Sequence, residues 1–526
     1  MGRRRLMMNG TEYRDSLRRY KPRVWIDGEA IGSVADAAQL RPGINAVGVT
    51  YDMALREELE PVMLAVQSTS SKTVNRMLHT DTSSGDLLNK LEAVRILCQE
   101  TGCAQRYLAH DSFSALLQTT ARIDADKGTR YGERFTAYLH DFQDKDLAIG
   151  IAMTDAKGDR SKRPHEQANV DSYVHIVERG GKGIVISGTK AIVTGAPYMH
   201  EFLVMPCRNM SEADAAFAVC CAVPCDADGV TIVARPAGRP GEKAALFSNK
   251  YGQSTGVVVF DKVFVPWERV FLAGEWEHSS HLTYSYATHH RHTCIAARAG
   301  FGDLLIGAGA LMCEANGFDP GAETHLREQM VQLITIVEGF YACGVAASVY
   351  ASEDVPSGVV MPDPVFSNIG KLLLANQIYE MQKIAHYVSG GLIVTLPGPD
   401  EDHNPATAAN LADVLRASPD VPYDKRIQAA RFIEDLTASY QGGWYSVISL
   451  HGGGSPAAMK QEIWRNYPVG NKVELVERLL GRGLLSDASR PITANRQPGR
   501  CCDTGCTTTS ATTMVSLPPS HRESRS

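Results

Sequence analysis

Hydrophobic residues in this chain change their spacing twice, and that double change constrains its fold more than any other feature. Between residues 11 and 143 apolar side chains recur at helical intervals: 84–98 carries Leu87, Leu88, Leu91, Val94 and Leu97, and 111–124 repeats the pattern with Phe113, Leu116 and Leu117. From Leu147 the texture breaks into short β-rich runs, at 174–177, 183–187, 201–205, 230–233 and 256–260, punctuated by Gly, Pro, Asp and Asn. After Glu275 long helical periodicities return at 296–315, 323–352, 365–388 and 426–449, a succession that predicts an antiparallel bundle. A chain of 526 residues also exceeds one compact core. The expectation is an α+β chain: an N-terminal helical domain (1–146), a central β domain built as a barrel or sandwich (147–275), a C-terminal helical bundle (276–487) and a disordered tail (488–526).

Composition matters for what it excludes. Acids and bases, 59 against 53, are mixed along the chain and leave a net charge of −6, so no basic footprint for nucleic acid exists. No run of eighteen apolar residues occurs, and no membrane span is expected. Arg3, Arg4 and Arg5 are followed by Asn9, Gly10 and Glu12 instead of the apolar stretch of a signal peptide, so the chain reads as cytoplasmic. Nine of the twelve cysteines lie in apolar or helical-looking segments and read as buried free thiols. Cys501, Cys502 and Cys506 sit in a Thr/Ser/Pro-rich tail with only Asp503 as an added ligand, and no metal is expected there.

Three segments carry the chemistry. Met153-Thr154-Asp155-Ala156-Lys157-Gly158-Asp159-Arg160 opens the β region as a charged turn, with Arg163 and Pro164 just after. Gly188-Thr189-Lys190-Ala191-Ile192-Val193-Thr194-Gly195 lies within that region. His451-Gly452-Gly453-Gly454-Ser455-Pro456 comes far downstream, with small residues that let a backbone approach a ligand closely. Each alone reads as an ordinary turn or loop, and no Gly-x-Gly-x-x-Gly follows a strand, so a nicotinamide site is not expected.

Taken in that order the three segments resemble one flavoprotein family. It comprises the large, FAD-using component of 4-hydroxyphenylacetate 3-monooxygenase and its sister, 4-hydroxybutyryl-CoA dehydratase. The resemblance runs from about residue 9 to about residue 484. It implies an acyl-CoA dehydrogenase-like fold, FAD held between the β domain and the bundle, and a homotetramer. It also implies reduced flavin supplied by a separate flavin reductase. The flavin contacts it implies are Met153, Thr154, Asp155, Lys157, Asp159, Arg160, Lys190, Thr194, Gly453 and Gly454. Charged and backbone donors suit such a site because the reduced ring and the phosphates carry negative charge.

The two sister activities differ in what else they need. By resemblance, the dehydratase holds a [4Fe–4S] cluster on three cysteines and a histidine. Here those positions read Cys103, Tyr107, His290 and Ala297, with Thr255 where the dehydratase has a catalytic glutamate. Two thiolates are missing, so a conventional cluster is not expected unless Cys98 or Cys294 substitutes after local rearrangement. The monooxygenase branch needs only a dry pocket, where reduced FAD and O2 form a C4a-hydroperoxide, and a group to draw the phenol proton. By resemblance, its arginine and tyrosine fall at Arg106 and His110, one helical turn apart, with Tyr107 between, and its third group falls near Ile151. His290 is expected to face the flavin. His289, His290 and His292 do not converge on one helical face, so a mononuclear metal site is not expected.

The sequence therefore points to an FADH2-dependent monooxygenase hydroxylating a phenol-like or other electron-rich small molecule, with Arg106, Tyr107, His110 and His290 as catalytic candidates. A CoA-ester dehydratase or vinylacetyl-CoA isomerase is the alternative, and a catalytically idle flavin-fold binding module the third.

Overall fold

The computed structural model describes residues 7–319 and 321–481. The tail from residue 488, with Cys501, Cys502 and Cys506, lies outside them. Helices α1 (Gly10–Leu17), α2 (Arg41–Asp52), α3 (Glu60–Met63), α4 (Ser84–Thr101), α5 (Tyr107–Lys127) and α6 (Tyr131–Asp144) form the N-terminal part. Local chemistry sets their starts: the Ser83 side chain accepts from the Asp86 amide to open α4, and Asn9 opens α1 with a reciprocal capping box through Glu12.

Two hairpins interrupt these helices, β1 (Arg23–Ile26) with β2 (Glu29–Ala30) and β3 (Leu64–Val66) with β4 (Thr73–Asn75). The first turns through Asp27 and Gly28, both at positive φ, which is the two-residue turn that Asp-Gly favours. That signal was present in a segment whose periodicity reads as helical.

The central strands are β5 (Ile149–Ala152), β6 (His175–Gly180), β7 (Gly183–Thr194), β8 (Glu201–Val204), β9 (Val219–Pro224), β10 (Val230–Ala234), β11 (Thr255–Pro266) and β12 (Val270–Ala273). They form two open sheets, β2-β1-β10-β11-β7-β6 and β12-β9-β8-β5. No closed barrel forms among the described residues, which corrects the barrel alternative. Helices take the place of closure: α5 lies against β5 and α6 against β12, so the edges of the smaller sheet are covered rather than paired. The β1–β2 hairpin, from outside the expected β domain, joins the larger sheet by pairing parallel to β10.

The C-terminal part runs α7 (Ser279–Ala315), α8 (Thr324–Val349), the hairpin β13 (Ser352–Asp354) and β14 (Val359–Met361), α9 (Pro364–Val388), α10 (Ala408–Val414), α11 (Tyr423–Thr437), α12 (Tyr440–His451), α13 (Pro456–Asn466) and α14 (Val469–Leu479). Helices α7, α8 and α9 pack on one another, and α4 and α5 pack on α7. Helix α7 begins at Ser279, before its apolar periodicity, because its first half is polar yet buried. The single helix expected over 426–449 is two. The Ser439 hydroxyl accepts from the Gln441 and Gly442 amides and starts a new helix after α11 ends at Thr437. By length and composition α7 and α8 would also pass for membrane spans.

Candidate functional site

Five parts of the chain meet at one narrow cavity. Cys103, Tyr107 and Leu108 come from the start of α5 and the loop before it, and Thr194 from the end of β7. His290, Cys294, Ala297 and Arg298 come from α7, Lys371 and Leu374 from α9, and Trp444, Ile448, Ser449 and Gly452 from α12 and its end. The spacing explains the convergence: residues four apart on α7, and three apart on α9, share a helical face.

The cavity wall is built around a carboxylate–imidazole–thiol array. His290 Nδ1 lies 3.0 Å from Asp111 Oδ2, and His290 Nε2 lies 3.5 Å from Cys294 Sγ. Thr293 donates to the other oxygen of Asp111 at 2.6 Å, and the His290 ring stacks on Tyr286. Burial alone would pull His290 down and Cys294 up. Their mutual attraction outweighs it: with the thiolate and Asp111 beside it His290 is pushed up to about 10, and beside the imidazolium Cys294 falls below its ordinary value. The pair therefore favours a proton on the imidazole over one on the thiol.

Two further cations face the same space. Lys371 Nζ donates to the Ser449 carbonyl at 2.7 Å, and Arg298 Nη1 donates to the Gly102 carbonyl at 3.2 Å. Burial pulls Lys371 down to about 8. Its charge, with that of Arg298, adds to the downward pull on the Cys294 thiol. Replacing Lys371 by Met removes a cation from beside the thiolate, so the pH at which Cys294 ionises should rise. Ultraviolet thiolate titration of K371M against K371M/C294S checks this, and an unmoved midpoint would mean that Lys371 does not act on the thiol.

The residues expected from sequence fall into three groups. Tyr107, His290 and Thr194 line the cavity. Gly453 and Gly454 back onto it: the Gly453 carbonyl accepts from Arg291 at 2.8 Å, and a Cβ on Gly453 would press on Arg291 and the His290 ring at 3.3 and 3.5 Å. The φ of +75 there is what favours glycine; the contacts themselves are close to ordinary. Lys190 and Asp155 form a buried ion pair at 2.7 Å, and Lys190 also donates to the carbonyls of Met153 and Met205 at 2.9 and 2.7 Å. With the Thr154 carbonyl accepting from the Ala191 amide, the pair straps 153–156 onto β7, and both charges are buried. Lys157 is half-buried, and Asp159 and Arg160 are exposed on the loop beyond.

Arg106 and His110 do not reach the cavity, contrary to the expectation for them. Arg106 precedes α5 and turns inward to a fully buried ion pair with Asp146, its guanidinium 3.7 Å above the Tyr51 ring. His110 points to the Arg76 carbonyl and Asp81. His289, His290 and His292 do diverge, to Gln118, Asp111 and Ser348. Sequence reasoning missed Lys371, Arg298 and Trp444 as cavity groups, and Asp111 as the partner behind His290. The one available signal was Lys371, a lone charge within Ile369-Gly370-Lys371-Leu372-Leu373-Leu374.

The donor set separates two possible cofactors. A flavin fits: a glycine cradle, a threonine hydroxyl and three cations suit a ring that carries negative charge when reduced. The Gln105 amide, beside Gly195, is a buried donor without a partner among the described residues. A [4Fe–4S] cluster does not fit, because Tyr107 and Ala297 offer a phenol and a methyl group where thiolates are needed, and Cys294 is engaged by His290. Among the described residues no group of three or more His, Cys, Asp or Glu side chains is placed to hold a metal ion.

Comparison with known proteins agrees with this architecture. The 4-hydroxyphenylacetate 3-hydroxylase N-terminal model matches residues 9–272 and its C-terminal counterpart 279–481. The chain is 33% identical over 493 residues to the 4-hydroxybutyryl-CoA dehydratase/vinylacetyl-CoA Δ-isomerase of Clostridium aminobutyricum, covering 90% of this chain and all of that one. It superposes on the oxygen-tolerant archaeal 4-hydroxybutyryl-CoA dehydratase of N. maritimus with a TM-score of 0.87 at 34% identity, covering 93% of this chain and 97% of that one. The oxygenase component of 4-hydroxyphenylacetate 3-monooxygenase, solved with FAD and 4-hydroxyphenylacetate, shares the fold at a TM-score of 0.79 and 22% identity, covering 90% of this chain and 98% of that one.

Proposed function

This chain belongs to the 4-hydroxyphenylacetate 3-hydroxylase family of flavoproteins, and on that premise we propose that it is an FADH2-dependent monooxygenase hydroxylating a phenol-like or other electron-rich small molecule. The observation that carries the reading is the cavity itself, a cation-lined acid–base site at a glycine cradle without a cluster's ligands. Reduced FAD, when bound, supplies the electrons that activate O2. The chain's own residues do the rest. The Cys294 thiolate accepts the proton of a ring hydroxyl, His290 returns one as acid, and Lys371 and Arg298 hold the resulting oxyanion. Leu108, Leu374, Trp444 and Ile448 exclude water. With no nicotinamide site in the sequence, a separate reductase supplies the flavin. We place the enzyme in the cytoplasm as a homotetramer.

A second reading has a specific observation behind it. A thiolate beside activated oxygen is open to oxidation, and the same acid–base pair suits moving a proton along the acyl chain of a CoA ester. Full-length similarity at 33% identity to a dehydratase/isomerase supports that reading.

One experiment separates the two. Protein supplied with reduced FAD, O2 and a panel of phenols is expected to consume O2 and release a ring-hydroxylated product. No hydroxylation under those conditions, together with deuterium exchange into vinylacetyl-CoA without O2, would establish the isomerase instead. Neither activity, with FAD unbound, would leave the binding-module reading.

A further inference from the structure

A second cavity, of about 400 Å³, shares no lining residue with the first. It is walled by the β3–β4 turn, the segment before α4, the second half of α5, the start of α6 and the β13–β14 turn. Its size is that of a small-molecule site. Among the described residues lining it none is charged and none is aromatic, and seven are serine or threonine. Two acids bond to these hydroxyls, and both are already paired, Asp354 with Arg122 and Asp86 with Arg76.

The hydroxyls divide by what the chain already asks of them. Thr120 donates to the Leu116 carbonyl at 2.7 Å, Thr82 to Asp86 at 3.0 Å and Ser357 to Asp354 at 2.7 Å. Their hydrogens are spent, which leaves the three oxygens as acceptors. The Ser68 and Thr136 side chains have no hydrogen-bond partner among the described residues and are free to donate. Thr80 is fully buried, and its place is set from behind: Gln67 Nε2 donates to its oxygen at 2.8 Å, while Gln67 Oε1 accepts from Gln143 at 3.0 Å. The Thr80 oxygen is thus already an acceptor, and its hydrogen is left for whatever fills the cavity. Leu117, Ala121, Pro356 and Val359 complete the lining with an aliphatic patch, where water gains no hydrogen bond.

We propose that this cavity is a second binding site and takes a neutral polyol of monosaccharide or cyclitol size. Such a molecule carries hydroxyls that both donate and accept, which a wall holding both kinds of group can match. Its C–H face suits the aliphatic patch. A phosphate, carboxylate or ammonium would lose water there without gaining a counter-charge, and a planar base would find no ring to stack on. The inference does not depend on which reaction the first cavity performs.

The test uses the full chain with FAD bound and measures binding of myo-inositol, D-glucose and cyclohexanol by saturation-transfer NMR. The two polyols are expected to bind saturably. Cyclohexanol, the inositol ring with a single hydroxyl, should bind more weakly than inositol. Thr136→Val is expected to weaken polyol binding about three- to tenfold, the loss of one hydrogen bond. Thr80→Val should weaken it more, since it also strands the Gln67 amide, and Ala121→Leu should abolish it by filling the cavity. No saturable polyol binding would leave the cavity to water and overturn the proposal. Cyclohexanol binding as tightly as inositol would overturn the hydroxyl recognition, and polyol binding unchanged by the substitutions would place it elsewhere on the surface. Should Thr80→Val or Ala121→Leu fail to fold, Thr136→Val decides alone, because its half-buried hydroxyl supports no other group.

Discussion

Arg106→Ala is expected to destabilise the fold by about 3–5 kcal/mol, because it strands a carboxylate in the interior. Arg106 and Asp146 are both buried; the guanidinium pairs with that carboxylate, donates to the Asp146 and Leu147 carbonyls at 3.0 and 3.1 Å, and covers the Tyr51 ring. Even with the arginine present, burial pushes Asp146 above the ordinary carboxylate range. Without it, Asp146 is driven further up and must take up a proton or admit water. The sign with pH follows: an acid whose folded-state pKa is raised costs stability once pH exceeds its unfolded value. The deficit of Arg106→Ala against wild type should be largest near neutral pH and shrink as pH falls and Asp146 becomes protonated. Urea unfolding of both proteins across that range measures it. A midpoint unchanged at neutral pH would refute the structural role and reopen a catalytic one.

Arg106 also shows where sequence reading stops. An arginine one turn from a histidine on an apolar helix looks the same whether it faces a ligand or a buried acid; the deciding partner, Asp146, lies in the turn just past the end of α6. The elements themselves were legible because periodicity is local. Strands at 174–177, 183–187, 201–205, 230–233 and 256–260 appear in the structure as β6, β7, β8, β10 and β11, several of them longer. Of the central strands, those missed, β5, β9 and β12, belong to the smaller sheet and are buried at nearly every position, so no alternation marked them. Closure of the β domain could not be read either, because it depends on whether a helix or a strand covers each edge. At the site, the glycine segment and His290 were found through resemblance. Asp111 was not, since its value lies in a 3.0 Å contact across two helices.

Substitution of His290 should have the largest effect on turnover. His290→Gln is expected to lower kcat by about 10²–10⁴, the usual contribution of a positioned acid or base, with KM changed much less. The glutamine keeps bulk and a hydrogen bond to Asp111 but can neither stabilise the Cys294 thiolate nor donate a transferable proton. The wild-type pH profile follows from the same pair. Activity should fall on the alkaline side as His290 loses its proton near 10, and on the acid side only where the lowered Cys294 thiol becomes protonated. Stability has a linked sign: a cation with a raised pKa contributes fully below its unfolded value near 6.5 and loses that contribution as pH climbs through the folded value. In His290→Gln the Cys294 thiol should return towards or above its ordinary value, since burial then acts without an opposing imidazolium. The acid limb of any residual activity would move up in pH accordingly. Asp111→Asn, which preserves shape but leaves the imidazolium without its carboxylate, should weaken both effects without abolishing them. If His290→Gln turned over at the wild-type rate with the wild-type profile, the acid–base work would belong to another group in the cavity, and Lys371 would be the first to examine.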